Sequence, residues 1–210
     1  MSSLLIAAHG TRSPPGQERI QRLVAAVARA RPAVSVAVGF LDVQLPSLAD
    51  ALSSAEPDVV IVPALLSTGY HVVRDIPDVA GGRRDVRVAR HLGPDPLVVA
   101  ALADRLAGRA DRPVALVAAP SSDPAAETEA RAAASLLTES LDRAVETVIL
   151  ASDAAIDPAS DVAAYLLAEG TFYTRASTLA ARPIAAPLAD HPAIVELVWL
   201  RYDQVLAVVQ

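Results

Sequence analysis

The chain has no cysteine and no lysine, and only 3% of its residues are aromatic. The absence of thiols excludes disulfides, thiolate nucleophiles, iron–sulfur clusters and thiolate zinc sites. Any metal must therefore bind to imidazole and oxygen. Without lysine, a phosphate-loop lysine and a Schiff-base lysine are excluded as well. The few aromatic side chains offer little for base stacking, and a net charge of −6 gives no basic footprint. We therefore expect no nucleic-acid partner.

Long hydrophobic runs are also lacking. Arg, Asp or Pro interrupts every apolar stretch before it reaches the roughly 18 residues of a membrane-spanning helix. The start, MSSLLIAAHG, has no basic leader, and its apolar run is too short for a signal peptide. We expect a cytoplasmic protein with no membrane partner. A chain of 210 residues that is 53% hydrophobic can form one large domain or two lobes of about 100 residues each.

The apolar residues fall into short continuous runs that alternate with helical patterns. Such runs are typical of strands buried on both faces of a parallel sheet. Strands are predicted at Leu4–Ala8, Val34–Leu41, Asp58–Leu66 and Val86–Ala89, and helices at Gln17–Ala30, Leu48–Ser54, Leu97–Leu106 and Ala125–Leu141. The alternation predicts an α/β fold with a parallel, doubly wound sheet.

The same order begins again at Pro113, which indicates an internal duplication. Leu116–Pro120 aligns with Leu5–His9, and Leu166–Phe172 aligns with Leu65–His71. We therefore predict two similar doubly wound lobes: an N-terminal lobe, residues 1–110, that carries the site, and a degenerate C-terminal repeat, residues 111–210. In this alignment Pro120 takes the place of His9 and Phe172 that of His71. The second lobe would then have lost the chemistry and serve as a wall.

Two histidines follow the ends of predicted strands in the first half. His9 follows the first strand, and His71 lies in the loop after the third, with Gly10 and Gly69 beside them. Strand ends of open α/β sheets meet at the edge where ligands bind, so the two can face one cleft. Imidazoles there can bind Fe²⁺, Co²⁺, Ni²⁺ or Zn²⁺ and can accept protons near neutral pH. For either histidine alone, the competing interpretation is a loop residue bonded to nearby backbone.

Two carboxylates could assist this pair. Asp42 follows the second strand and could join the cleft, or it could cap the next turn. Asp75, four residues after His71, could orient the imidazole or cap the helix that starts before Pro77, and we favour the cap.

The two remaining histidines, His91 and His191, precede proline-containing turns that open helices, so we expect structural roles for them.

Hydrolase motifs fit poorly. No G-x-S-x-G elbow is present to expose a serine, and His9-Gly10-Thr11 lacks the later glycines of a dinucleotide-binding loop. A phosphohistidine phosphatase would carry an Arg immediately before the His, where Ala8 stands here.

Three segments together form a more specific pattern: LLIAAHGTR, VGFLDVQLPSL and VPALLSTGYHVVRDIP. They resemble the sirohydrochlorin chelatase family, the class II chelatases of sirohaem and cobalamin synthesis, and the second half is similar to the degenerate repeat of its long, two-lobed members. The resemblance implies a cleft that takes a planar tetrapyrrole and a divalent metal ion. It implies an enzyme that inserts Co²⁺, Fe²⁺ or Ni²⁺ as a substrate, with no further cofactor.

The resemblance also implies roles for individual residues. His9 and His71 match the metal-binding, catalytic histidines, and Asp42 matches a position where the family usually has Glu; the second acid that often follows is Leu45 here. Sirohydrochlorin, as the family implies, carries eight carboxylates, so Arg12 and Arg74 beside the histidines are candidate charge partners; the competing interpretation is that both are solvated surface charges. Gly69 and Tyr70 are further candidate substrate-binding residues. We expect a monomer. Two alternatives stay open: a non-catalytic metal or tetrapyrrole carrier, and a phosphatase-like hydrolase that uses His9.

Overall fold

The computed structural model describes residues 2–109 and 111–207. The first half contains four strands, β1 (Ser3–Ala8), β2 (Val36–Phe40), β3 (Val59–Ala64) and β4 (Val86–Val88). It also contains α1 (Pro14–Ala30), α2 (Leu48–Ser53), one turn of π-helix (His71–Asp75), α3 (Ile76–Ala80) and α4 (Pro96–Leu106). Most predicted elements agree within two residues; the π-helical turn was not anticipated.

The four strands form one parallel sheet in the order β2-β1-β3-β4. Every residue of β1 and β3 is buried, which explains their continuous apolar sequences. Ala8, the last residue of β1, pairs with Phe40 on one side and Ala64 on the other. The chain therefore leaves β1, β2 and β3 at one edge of the sheet, and this edge carries both predicted histidines.

The second half repeats the arrangement. Its elements are β5 (Val114–Ala118), α5 (Pro124–Leu141), β6 (Val145–Ile149), β7 (Asp161–Tyr165), α6 (Thr171–Leu179) and α7 (Pro192–Ala207). The strands form a parallel sheet in the order β6-β5-β7, which matches β2-β1-β3, and no fourth strand extends it in the described residues. The predicted α/β class with two similar parallel-sheet lobes is confirmed.

The strand register corrects one detail of the predicted alignment. Ala118 pairs with Ile149 and Tyr165 as Ala8 pairs with Phe40 and Ala64. The residue after Ala118, which is Ala119, therefore corresponds to His9. The sequence alignment was wrong by one position because it matched the similar letters around Pro120.

The last helix of each half packs on the other half. Helix α4 contacts α5 and β7, whereas α7 contacts α1 and β3. One buried apolar cluster consequently includes Leu4, Leu116 and Leu197, from both sheets and α7. The two sheets lie on either side of the predicted boundary, but α4 and α7 each pack against the opposite half. Residue 110 itself lies outside the described residues. The division at that point stays a prediction.

Among the described helices, none combines the length and apolar character that crossing a lipid bilayer requires.

Candidate active site

His9 is placed by a tight turn directly after β1. Gly10 adopts a φ of 95°, and a side chain there would overlap the backbone carbonyl of Asp42. The Asp42 N–H donates to the carbonyl oxygen of His9 at 2.9 Å, which ties the loops after β1 and β2 together. Only glycine allows this close approach, so the sequence His-Gly fixes the direction in which the chain leaves the strand.

His71 begins the π-helical turn. The Gly69 carbonyl accepts hydrogen bonds from the N–H groups of Val72 and Val73, at 2.9 and 3.0 Å, which anchors the turn. The Nδ1 of His71 lies 2.5 Å from Oδ2 of Asp75. Nδ1 therefore carries the proton in the neutral ring, and Nε2 keeps a free lone pair for a metal ion.

The expectation that Asp75 caps a helix was wrong. Its backbone is already helical, and its side chain makes no capping hydrogen bond. The π-helical turn continues into α3 without a break, so this point is not a helix N-terminus that needs a capping side chain. The Asp75 carboxylate binds the His71 imidazole instead.

The two imidazoles lie side by side, with ring centroids 4.8 Å apart and planes inclined by 48°. Burial lowers the pKa of His9, the neighbouring His71 lowers it further, and Asp42 acts in the opposite direction. His9 is therefore neutral at pH 7. Two imidazoles at this distance can share a borderline divalent ion such as Co²⁺ or Fe²⁺.

The histidine pair opens into a cleft of about 1030 Å³ between the lobes. The predicted site residues that line it are His9, Arg12, Asp42, Gly69, Tyr70 and His71. Arg74 is exposed and does not line the cleft. The second lobe contributes Ala119, Pro120 and Phe172, which carry no metal-binding group, and also Glu169; that this lobe serves only as a wall stays a prediction.

Asp42 is near His9, and its Oδ1 accepts a hydrogen bond from the Val43 N–H at 2.8 Å. Within the residues that the structure describes, no group of three or more His, Cys, Asp or Glu side chains has the geometry to hold a metal ion. The two histidines thus meet without a third such ligand, and the metal-binding role of Asp42 stays a prediction.

The other two histidines lie outside the cleft, and their contacts fit the structural roles expected of them. His191 accepts the Ala193 N–H on Nδ1 at 3.2 Å and contacts Asp104 through Nε2. His91 is buried at the lobe boundary beside Thr68 and Glu129.

Sequence reasoning missed the polar groups of the second lobe that hold the cleft loops. Glu129 binds Thr68, and the backbone carbonyl of Glu169 accepts from the Thr11 hydroxyl at 2.9 Å. These contacts join residues 61 and 158 positions apart, and no local pattern indicates them.

Comparisons with known proteins identify relatives of this chain. The CbiX family model matches residues 3–109, half of the chain. A sirohydrochlorin cobaltochelatase from Methanococcoides burtonii is 29% identical over 80 residues, which cover 36% of this chain and 61% of the relative. Another from Methanothermobacter thermautotrophicus is 32% identical over 82 residues, 37% of this chain and 57% of the relative. The matched segments span less than two thirds of these relatives.

Solved structures match nearly the whole chain. The sirohydrochlorin chelatase SirB from Bacillus subtilis subspecies spizizenii, in complex with cobalt, superposes with a TM-score of 0.78 at 22% identity, covering 98% of this chain and 95% of SirB. CbiX, described as the terminal enzyme for biosynthesis of siroheme in denitrifying bacteria, gives a TM-score of 0.70 at 18% identity, with 96% and 98% covered. At these identities the likeness establishes the two-lobed fold.

Proposed function

Because the chain belongs to the CbiX family, the sirohydrochlorin chelatase family that its motifs resemble, we propose that it inserts a divalent metal ion into sirohydrochlorin or a close relative. The carrying observation is the pair of imidazoles, 4.8 Å apart, at the wall of an inter-lobe cleft of about 1030 Å³. The curated relatives are named cobaltochelatases, and SirB is described in structures with cobalt and with Fe³⁺. Co²⁺ and Fe²⁺ are the leading metals, with Ni²⁺ third.

The reaction replaces two pyrrole N–H protons by one M²⁺ ion, so two protons leave for each metal inserted. His9 and His71 bind the metal as it loses water, and two imidazoles bind weakly enough to release it to the four ring nitrogens. The same imidazoles, once free of metal, accept the displaced protons. Asp75 keeps the Nε2 lone pair of His71 available through its hydrogen bond to Nδ1.

The cleft also suits the organic substrate. Arg12 is an exposed cation in its lining and serves as a partner for the macrocycle carboxylates. Gly69 leaves room beside the metal site, and Tyr70, 65% exposed, offers a flat apolar surface to the ring. Arg74 remains a proposed partner only for carboxylates that extend beyond the cleft.

We further propose that the protein acts as a cytoplasmic monomer. One chain supplies both walls of the cleft, so no second copy is needed to complete it. Light scattering in the presence of substrate would detect a dimer if this is wrong.

The test is to mix purified protein with sirohydrochlorin and Co²⁺ or Fe²⁺ and to follow the visible spectrum of the macrocycle. We expect insertion faster than the spontaneous reaction, and loss of that acceleration in His9→Ala and in His71→Ala. His191→Ala, outside the cleft, is the matched control and should keep the wild-type rate.

Binding of metal or tetrapyrrole without accelerated insertion would replace the proposal by a carrier. Absence of both binding and accelerated insertion would reopen the hydrolase alternative. Comparing phosphate-ester hydrolysis by wild type and by His9→Ala would then decide it.

A further inference from the structure

A carboxylate of the second lobe holds the loop that precedes His71. Glu129, on α5, has a side chain that is only 19% exposed. Its Oε2 accepts the backbone N–H of Thr68 at 2.6 Å, and its Oε1 accepts the Thr68 hydroxyl at 2.9 Å. Both donors of one residue in the first lobe are therefore satisfied by one side chain of the other lobe.

His91 adds a third contact to this carboxylate. Its Nε2 lies 3.2 Å from the Thr68 hydroxyl oxygen and 3.4 Å from Oε1 of Glu129. Since the Thr68 hydroxyl already donates to Glu129, the histidine must donate its Nε2 proton. This leaves Nδ1, which is buried without a partner in the described residues, as the unprotonated nitrogen. The arrangement uses Glu129 as the common acceptor.

The second lobe also binds an earlier residue of the same loop, Leu66. The Tyr165 hydroxyl donates to the carbonyl of Leu66 at 2.8 Å. Thr68 is followed by Gly69, whose carbonyl anchors the π-helical turn that begins at His71. A rotation of the peptide between Thr68 and Gly69 would therefore shift the His71 ring away from the neighbouring His9 ring.

We propose that Glu129 is a positioning residue for the metal site: by binding both donors of Thr68 from the opposite lobe, it fixes the loop that presents His71 to His9. The inference rests on the proposed function of the histidine pair. Displacement of a reacting group by about 1 Å can cost about 100-fold in rate, so the effect should appear in metal binding and in turnover.

Two substitutions separate this role from a general contribution to folding. Glu129→Ala removes every contact to Thr68. Glu129→Gln keeps one oxygen that can accept the Thr68 N–H, so it should restore part of the lost function. Glu139→Ala, at an exposed position of the same helix, is the matched control.

The readouts are the visible absorption spectrum and affinity of bound Co²⁺, and the kcat and KM of insertion, all measured well below each variant's melting temperature. For Glu129→Ala we expect a changed Co²⁺ spectrum, about 10-fold weaker Co²⁺ binding and a 10- to 100-fold lower kcat, with the tetrapyrrole KM within twofold of wild type. Glu129→Gln should lie between, and Glu139→Ala should match wild type.

A lower melting temperature with a wild-type Co²⁺ spectrum, affinity and kcat would overturn the inference, because Glu129 would then only support the fold. If Glu129→Ala does not fold, Glu129→Gln and Thr68→Val are used instead to distinguish positioning of the loop from general support of the fold. The valine removes the hydroxyl and keeps the backbone donor. Changed Co²⁺ binding in either supports positioning, and wild-type binding in both refutes it. Co²⁺ binding does not require turnover, so a wild-type protein that binds Co²⁺ but inserts none would refute the proposed function while leaving this test intact.

Discussion

Gly16 offers a test of how tightly the two lobes are joined beside the site. It is the third residue of α1, and it is buried. A Cβ built on it would lie 2.8 Å from Cγ2 of Thr11 and 3.0 Å from the carbonyl carbon of Glu169, and closer still to that carbonyl oxygen. Glu169 belongs to the second lobe, and its backbone cannot move aside as a flexible side chain can. Gly16→Ala should therefore force the two loops apart.

The expected sign is opposite to that of an ordinary helix. In an exposed helix interior, Gly→Ala stabilises by about 1 kcal/mol. Here the overpacking should outweigh that gain and lower the free energy of unfolding by about 1–3 kcal/mol. For a chain of 210 residues this corresponds to a fall in melting temperature of roughly 2–12 °C. The hydrogen bond from the Thr11 hydroxyl to the Glu169 carbonyl, 2.9 Å long, should lengthen or break as well.

Urea unfolding and calorimetry measure this effect. Ala25→Gly, at an exposed position of the same helix, is the control, because it reports the intrinsic cost of glycine in α1 at a solvent-exposed site. A Gly16→Ala variant that melts at a higher temperature than wild type would refute the reasoning. The stabilisation from the higher helix propensity of alanine would then exceed the destabilisation from overpacking.

Three further outcomes are expected. Hydrogen bonds from Arg19 lower the pKa of Glu169 below its ordinary value of 4.5. The ion pair therefore stabilises the fold fully above pH 4.5, and this stabilisation is lost as the pH falls through the lowered pKa. In urea unfolding across acidic pH, the advantage of wild type over Glu169→Gln should be full at neutral pH and shrink below pH 4.5. Val43 is a β-branched residue with φ at 48°, so Val43→Gly should raise the free energy of unfolding by about 1 kcal/mol, measured in thermal melts. The same substitution removes a side chain from the cleft lining and should weaken tetrapyrrole binding. Asp75→Asn should weaken Co²⁺ binding about 10-fold in a spectroscopic titration, because a neutral amide supports the His71 imidazole less well.

Much of the first sheet could be predicted because its signals are local. The buried runs that became β1 and β3 are continuous and apolar, and each ends at a histidine or at the loop that carries one. Parallel strands leave a sheet at a common edge, so the sequence predicts that the loops carrying His9 and His71 meet at the same edge. Their actual separation and tilt depend on the π-helical turn, for which the sequence gives no cue.

Other errors had physical causes that the sequence does not show. A proline two residues after Asp75 favours a helix start, but the preceding turn is already helical and removes the need for a cap. Pro120 was matched to His9 by its neighbours' letters, whereas backbone pairing of Ala118 with Tyr165 fixes the register one residue earlier. Both errors arose where hydrogen bonding between segments, rather than side-chain type, decides the position.

Under the proposed function, the second half of the molecule has a role although it lacks the histidines. The imidazoles of His9 and His71 would leave most of the metal's coordination to water and to the ring nitrogens, so the geometry of the site would depend on how firmly two loops are held. The first lobe supplies the ring-bearing loops, but their polar backbone groups are bound by the second, through Glu129 on Thr68 and the Glu169 carbonyl on Thr11. Under the proposed function, a repeat that has no histidine of its own at either equivalent position would thus still influence catalysis. For the same reason, substitution of Glu129 on α5, which holds Thr68 from outside the cleft lining, should change metal affinity more than substitutions at exposed positions close to the cleft.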